Sequence, residues 1–91
     1  MVAVPNTLPR LPVARAFARL RLPLHLNWSE PDRTFNLSDR TQRARLYEVV
    51  LREGEPDDVL AYVDRALLLD FWDDLVLPLD VREAWTRVVG G

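Results

Sequence analysis

Residues 67–85 read LLLDFWDDLVLPLDVREAW, a stretch that divides into an apolar stripe and an acidic stripe when it is drawn as a helix. Apolar residues recur at i, i+3, i+4 and i+7, the spacing of one helical face. These apolar residues are Leu68, Phe71, Trp72 and Leu75. Asp70, Asp73 and Asp74 fall on the opposite face. The pattern predicts a helix that packs its apolar side into a core and exposes three carboxylates.

Local signals divide this stretch into two helices. Asp64 is placed to cap the first helix, which should end near Leu77 because Pro78 disfavours helical backbone at the residue before it. Asp80 and Glu83 have the spacing of a capping box, which should begin a last helix. The apolar side of that last helix would consist of Val81, Ala84, Trp85 and Val88. The C-terminal part therefore predicts two packed helices joined by a bend.

Two more helices are predicted upstream. Ser38 or Asp39 can cap the first of them, and Asp39 with Gln42 has capping-box spacing, while Gly54 suits a C-terminal stop. Its buried stripe would consist of Ala44, Tyr47, Val50 and Leu51. Pro56 fits the first position of the next helix. The inward side of that helix would consist of Val59, Leu60 and Val63.

The N-terminal part is predicted as an arm followed by a β-hairpin. Residues 1–22 are rich in Pro and Arg, which indicates a flexible arm with a possible short helix from Val13. Residues 24–28 (LHLNW) and 33–37 (RTFNL) alternate apolar and polar side chains around a turn, as hairpin strands do. The predicted fold is α+β and mostly helical. It has an N-terminal β-hairpin followed by about four short helices in one compact domain over residues 23–91.

A lone two-stranded hairpin is only marginally stable in water, so the predicted hairpin needs further contacts. It should lie on the helices of its own chain or gain strands from another chain. We therefore expect self-association as a homodimer, through the hairpin or through the last helices.

Composition and charge exclude several classes of protein. The net charge of −2 hides a segregation, because residues 1–23 carry four Arg and no acid, while residues 55–91 carry nine acids and three Arg. An acidic C-terminal part should be repelled by nucleic acid and suits a basic protein surface. The absence of cysteine excludes disulfides and thiolate metal sites. No apolar run approaches the roughly 20 residues of a membrane span, so we expect a soluble cytoplasmic protein without membrane association.

Catalytic patterns are missing from the sequence. His25 is the only histidine and is best interpreted as a surface or hydrogen-bonded residue. Ser29 and Ser38 occupy turn and cap positions, which explain a serine without a nucleophilic role. We therefore expect no enzyme activity and no cofactor. The three carboxylates of the acidic stripe leave open a solvated helix face, a partner-binding patch or, without any supporting motif, a Mg²⁺ site.

Two further sets of side chains are candidates for contact with a partner protein or with nucleic acid. Trp28, on the predicted hairpin, suits an interface because tryptophan fills desolvated pockets there, although a core position is the commoner use. Arg15, Arg19 and Arg21 could touch phosphates, or they could belong to a solvated arm. No recognition helix accompanies them, so DNA binding is doubtful.

Four phrases of the chain resemble a family of short actinobacterial proteins that are encoded beside nucleotidyltransferase toxins of the AbiE/MenAT kind. The phrases are NWSEPDRTFNLSDR, YEVVLREG, YVD and WDDLVLP, and they cover about Leu24 to Trp85. The resemblance implies a type II antitoxin of mycobacterial type. Such a protein binds a toxin that adds nucleotides to tRNA 3′ ends and thereby keeps it inactive.

If this chain is such an antitoxin, the toxin would bind the magnesium ion and the nucleotide and would perform the catalysis. An acidic helix bearing Asp70, Asp73 and Asp74 could occupy the basic surface on which the toxin holds RNA. The alternatives are a small DNA-associated transcriptional regulator that uses the Arg-rich arm, and a structural protein. Direct binding to a toxin is the leading expectation.

Overall fold

The computed structural model describes residues 8–27, 30 and 32–90. Its elements, in chain order, are α1 (Val13–Ala16), β1 (Arg19–Arg21), β2 (Thr34–Asn36), α2 (Arg40–Glu53), α3 (Pro56–Tyr62), α4 (Arg65–Phe71), a 3-10 turn (Trp72–Asp74) and α5 (Leu79–Gly90). β1 and β2 pair antiparallel with Leu20 opposite Phe35. The predicted fold class, α+β and mostly helical with an N-terminal hairpin, is confirmed.

The first strand of the hairpin lies earlier in the chain than predicted. β1 covers residues 19–21, whereas Leu24–Leu26, expected to be a strand, form a turn in which the amides of Leu26 and Asn27 donate to the carbonyl of Pro23. Proline lacks an amide hydrogen and fixes φ, so Pro23 cannot continue a strand ladder. The helix predicted from Val13 is correspondingly short and ends at Ala16.

The hairpin packs on α2 of the same chain. Phe35 and Leu37 are buried, and the amide of Asn36 donates to the side-chain carbonyl of Gln42 at 2.9 Å. The guanidinium of Arg43 donates to the carbonyl oxygen of Leu37, also at 2.9 Å. The support that a two-stranded hairpin needs is therefore supplied within the chain, without a second copy.

The hydrophobic core is built around α2. Tyr47 of α2 and Phe71 of α4 meet edge to face, with ring centroids 5.2 Å apart. The other buried apolar residues of the core are Leu8, Leu22, Leu26, Phe35, Leu37, Leu46, Val50, Leu51, Val59, Val63, Leu68, Leu75, Val81 and Trp85. Because Leu8 and Leu22 belong to this core, residues 8–22 pack against the rest of the chain and differ from the flexible arm that was predicted.

Helix starts follow the predicted caps more closely than helix ends do. The Asp39 carboxylate accepts hydrogen bonds from the amides of Thr41 and Gln42 at 2.9 and 3.2 Å. Asp64 accepts from the amide of Leu67 at 3.1 Å, and Pro56 opens α3. These helix starts were predicted correctly because each capping interaction depends only on residues within one turn.

The helix predicted to reach Leu77 ends instead at Phe71 and continues as the 3-10 turn Trp72–Asp74. Aspartate is a poor helix former, and negative charge is unfavourable at the C-terminal end of a helix, so Asp73 and Asp74 favour this early end. The second capping box is also wrong, because α5 begins at Leu79 and Asp80 lies inside its first turn.

Gly54 follows the last residue of α2 at a position that has no room for a side chain. Its φ of −81° is open to any residue, but an added Cβ would lie 2.6 Å from the carbonyl oxygen of Val50 and 3.2 Å from Cβ of Asp58. We expect Gly54→Ala to lower the free energy of unfolding by about 1–3 kcal/mol, because the α2–α3 connection must shift to relieve this overlap. Urea denaturation compared with Glu53→Ala, an exposed neighbour, measures the effect, and equal midpoints for the two variants would refute it.

Candidate partner-binding surface

The three predicted carboxylates are exposed and lie close together in the chain, but on two different elements. Asp70 belongs to α4, and Asp73 and Asp74 belong to the 3-10 turn that follows it. The opposite side of the segment is apolar as expected, since Leu68, Phe71 and Leu75 are all buried. The division into an inner and an outer side is therefore present even though the helix is shorter than predicted.

Arg40 at the start of α2 neutralises part of this acidic cluster. Its guanidinium donates to Asp70 at 3.3 Å and to Asp74 at 3.2 Å. These two contacts raise the pKa of Arg40, with that from Asp74 contributing most. All three side chains are exposed, and exposed ion pairs contribute little to stability. Among the described residues, Asp73 has no ion-pair partner and keeps its full charge available to another molecule.

Exposed apolar side chains lie next to the carboxylates in sequence. Val76 and Leu79 are 79% and 71% exposed, and Leu69 is 44% exposed. Residues 69–80 thus combine exposed acids with exposed apolar groups, and we name them the 69–80 segment. Such a mixture resembles a protein-binding surface more than a purely solvated helix face, which would carry few large apolar side chains.

Contacts from α2 and α5 fix the backbone of this segment. The guanidinium of Arg82 lies over the ring of Trp72, 4.9 Å from its centroid. It also donates to the carbonyl oxygens of Trp72 and Leu75. On the other side, the amide of Val76 donates to the carboxylate of Glu48 at 2.6 Å. A segment held from both sides presents its outer side chains with little loss of conformational entropy on binding.

A groove beside this segment was not predicted. It has a volume of about 500 Å³ and lies along the outer face of α2, where Val76 forms its other wall. The residues that line this α2 groove are Arg40, Thr41, Ala44, Arg45, Glu48, Val49, Arg52 and Val76. The polar residues at positions 41, 45, 48 and 52 marked an outer helical face in the sequence, but nothing local indicated that residue 76 would lie against it.

The other candidate contact residues are not gathered into one site. Arg15 of α1 donates to the carbonyl oxygen of Ala61 at 2.8 Å. Arg19 and Arg21 are exposed on β1 instead of on a helix, and Arg21 lies 3.7 Å from Asp32. A short strand with two arginines offers no element that could enter a DNA groove as a recognition helix does. Trp28, the remaining candidate, lies outside the described residues.

The described residues contain no group of three or more His, Asp or Glu side chains that could hold a metal ion. His25 is exposed and pairs with Asp58, with Nε2 3.0 Å from the nearer carboxylate oxygen, so it is the surface hydrogen-bonded residue that the sequence predicted. Within residues 8–27, 30 and 32–90, no helix has the length and apolar character needed to cross a membrane.

Comparisons of this sequence and fold with protein family models, characterised proteins and solved structures found no match.

Proposed function

We propose that this chain is a binding protein without catalytic activity that neutralises a nucleotidyltransferase toxin by direct contact. The observation that carries the proposal is the 69–80 segment, where Asp73 and the apolar side chains of Val76 and Leu79 are exposed on a firmly held backbone. The resemblance to small antitoxins supplies the identity of the partner. A toxin that acts on tRNA places this interaction in the cytoplasm.

Charge and apolar area would contribute differently to binding. An enzyme that binds tRNA needs a basic surface for the phosphate backbone, and Asp73 can form a charge-assisted hydrogen bond with an Arg or Lys there. Val76 and Leu79 would supply apolar area at the contact. The chain would then inhibit by covering the surface on which the toxin holds RNA. Charge complementarity mainly sets orientation and association rate, so binding should accelerate at low salt.

Co-expression with the product of the adjacent gene tests the proposal directly. If that product is a nucleotidyltransferase that stops growth, this chain should restore growth, and the two proteins should co-purify. The purified chain should also block nucleotide addition to tRNA by the purified toxin. Failure to form a complex, together with failure to restore growth, would refute the proposed function.

Reversing one charge locates the contact. We expect Asp73→Arg to weaken toxin binding at least about tenfold, because a like charge would face the basic surface. Glu83→Arg makes the same change of charge at an exposed position of α5 outside the 69–80 segment and serves as the control. Binding is measured by fluorescence anisotropy with the chain at low nanomolar concentration. Equal affinities of the two variants would assign the contact to another surface.

Asp73 is a cleaner site for this test than the whole acidic cluster. Changing Asp70 and Asp74 as well would release Arg40 from both of its partners, so a loss of binding could come from the freed guanidinium. The triple change of Asp70, Asp73 and Asp74 to Asn should weaken binding further while the fold survives, because the ion pairs it removes are exposed.

A further inference from the structure

The first strand of the hairpin has an outer edge whose backbone groups point away from β2. In an antiparallel ladder, residue pairs that exchange backbone hydrogen bonds alternate with pairs that do not. The amide of Leu37 donates to the carbonyl oxygen of Ala18 at 2.9 Å, so this pair belongs to the bonded class. In the observed register, Arg19 lies opposite Asn36 and falls in the other class, and so does Arg21 two residues later. The amides and carbonyls of Arg19 and Arg21 therefore face outward.

The two outer edges of the hairpin differ in what lies against them. On β2, the outward amide of Asn36 donates to the side chain of Gln42, so α2 occupies part of that edge. On β1, the outward groups of Arg19 and Arg21 have no backbone hydrogen-bond partner among residues 8–27, 30 and 32–90. Both arginines are exposed. β1 thus offers alternating donors and acceptors to another extended backbone.

The side chains of β1 determine which residues a neighbouring strand could carry. Successive side chains of a strand point to opposite faces of the sheet. Leu20 is half-buried against the core, and its cross-strand partner Phe35 is buried, so these two mark the inner face. Arg19 and Arg21 share the outer face. A strand added to β1 would therefore place two alternate side chains beside the guanidinium groups and the side chain between them beside Leu20.

The two arginines are poorly compensated by carboxylates of the chain itself. Nη1 of Arg21 lies 3.7 Å from the carboxylate of Asp32, which is 98% exposed, and Arg19 forms no ion pair with a residue that the structure describes. Opposite charges side by side on neighbouring strands attract, and like charges repel. A second copy of β1 would bring arginine against arginine. Charge therefore disfavours pairing between copies and favours an acidic strand.

We propose that the outer edge of β1 binds an extended acidic segment of a partner protein, which adds a third strand to the hairpin. In strand addition of this kind, backbone hydrogen bonds give affinity and alternate side chains give specificity. The segment has the pattern acid–apolar–acid. Its acidic side chains lie beside Arg19 and Arg21, and its apolar side chain covers the exposed part of Leu20. The site is short, because Pro23 has no amide hydrogen and cannot extend the ladder.

Arginines on a sheet edge also prevent indiscriminate pairing of strands. The same charges that repel another β1 would admit an acidic strand, so protection and recognition make different demands only when such a strand is supplied. The proposed site contains no residue of the 69–80 segment and does not rest on the proposed function. Its test uses no toxin, and failure of either proposal can therefore be recognised separately.

A synthetic peptide with blocked ends and the sequence TVEVEVT provides the probe, and amide hydrogen exchange measured by NMR provides the readout. In the free chain, the amides of Arg19 and Arg21 should exchange faster than that of Leu20, which lies in a bonded pair. An excess of the peptide should slow exchange at the two arginine amides at least about fivefold, because they would then donate to the peptide backbone. Unchanged exchange at both amides would mean that the arginines only protect the edge, and would overturn the proposal.

Methylation of peptide amides tests whether the backbone makes the contact. N-methylation of both glutamates removes the donors that would face β1 and should abolish binding. N-methylation of the central valine and the valine after it changes amides that would point away, so this matched peptide should still bind. Equal loss of binding for the two methylated peptides would contradict strand addition.

Charge reversal tests the preference for acids. Arg19→Glu with Arg21→Glu should bind TVEVEVT at least about tenfold more weakly and should instead bind TVKVKVT. The control, Arg65→Glu with Arg87→Glu, makes the same change of net charge at exposed positions of α4 and α5 and should keep the original preference. Circular dichroism verifies that both variants are folded. Equal binding of the acidic and basic peptides by the original chain would overturn the proposal. Slow exchange at Arg19 and Arg21 without peptide, in a chain that sediments as a dimer, would assign the edge to a second copy and would also overturn it.

Discussion

Replacing Trp85 by alanine is expected to lower the free energy of unfolding by about 3–5 kcal/mol. Trp85 is completely buried and, with Val81, anchors α5 in the core. A domain of this length buries only roughly 60% of its unfolded surface, and small domains have little stability to spare within the usual range of about 5–15 kcal/mol. Urea denaturation followed by circular dichroism should find Trp85→Ala largely unfolded at low denaturant.

Two further variants separate the effect of the cavity that Trp85→Ala leaves from other effects on the free energy of unfolding. The indole Nε1 of Trp85 is buried without a hydrogen-bond partner among the described residues, so Trp85→Phe removes an uncompensated donor along with some apolar area. We expect Trp85→Phe to cost less than half of the alanine effect, because a buried unsatisfied polar group is itself unfavourable by about 1–3 kcal/mol. Leu79→Ala, at an exposed position of the same helix, should change stability by under about 0.5 kcal/mol. Equal losses for the alanine and phenylalanine variants at position 85 would contradict this expectation.

The features that the sequence predicted well are those decided within one helical turn. The caps at Asp39 and Asp64 and the proline that opens α3 each use backbone groups a few residues away, so the local pattern contains each capping interaction. Burial of Leu68, Phe71 and Leu75 followed from helical periodicity in the same way. The prediction that the three carboxylates are exposed was also correct, because it follows from the same helical periodicity.

Several of the errors arise where distant residues decide the structure. Residues 19–21 became a strand because residues 34–36 pair with them, whereas the local pattern favoured helix. Arg43 was not part of the predicted buried stripe of α2, yet it is buried, with its guanidinium 5.3 Å from the ring centroid of Phe17 and 5.6 Å from that of Phe71. A cation between two rings on a buried helix face has no signature in the neighbouring sequence.

In the candidate surface, too, the local features were predicted and the long-range contacts were not. Its acidic side was visible in the spacing of Asp70, Asp73 and Asp74, but the neutralising guanidinium comes from position 40, thirty residues before Asp70. The α2 groove likewise depends on Val76 lying against α2, a contact fixed by the bend after the 3-10 turn. Sequence reasoning therefore identified the three carboxylates as exposed and could not identify what lies beside them.

Asp64 is the second position at which a single change should be severe. Its side chain is 1% exposed. One carboxylate oxygen accepts from the amide of Leu11 at 2.7 Å and from Nε of Arg10 at 3.1 Å, and the other accepts from the amide of Leu67 at 3.1 Å. The Asp64 carboxylate therefore caps α4 and also fastens residues 10 and 11 to the domain.

Truncation to alanine removes the cap and leaves these donors without a partner. We expect Asp64→Ala to lower the free energy of unfolding by about 2–4 kcal/mol, from the lost cap together with the unsatisfied groups. Asp39→Ala removes a cap on an exposed residue and should cost only about 1 kcal/mol. Proteolysis near Arg10 should also become faster in Asp64→Ala, because residues 10 and 11 would no longer be hydrogen-bonded to the side chain at position 64. A loss no larger than that of Asp39→Ala would mean that the contacts to residues 10 and 11 contribute nothing.

The same carboxylate should make stability depend on pH. Burial alone would raise the pKa of Asp64, but hydrogen bonds from the amides of Leu67 and Leu11 and from Arg10 outweigh it, so this pKa lies below its ordinary value of 3.8. A group with a lowered pKa in the folded state stabilises the fold fully above its unfolded pKa, and this contribution is lost as pH falls through the folded pKa. The loss attributable to Asp64 should therefore begin near about pH 4 and grow at lower pH.

The difference between the original chain and Asp64→Asn isolates this contribution from that of the other acids. Asparagine keeps one oxygen acceptor but carries no charge, so its stability should fall less steeply with acid. Urea denaturation at several values between about pH 6 and about pH 2.5 should give two curves that are well separated at the upper end and converge toward the lower end. Parallel curves would mean that the charge on Asp64 adds nothing to the fold. In that case its hydrogen bonds, and not its ionisation, hold residues 10 and 11 in place.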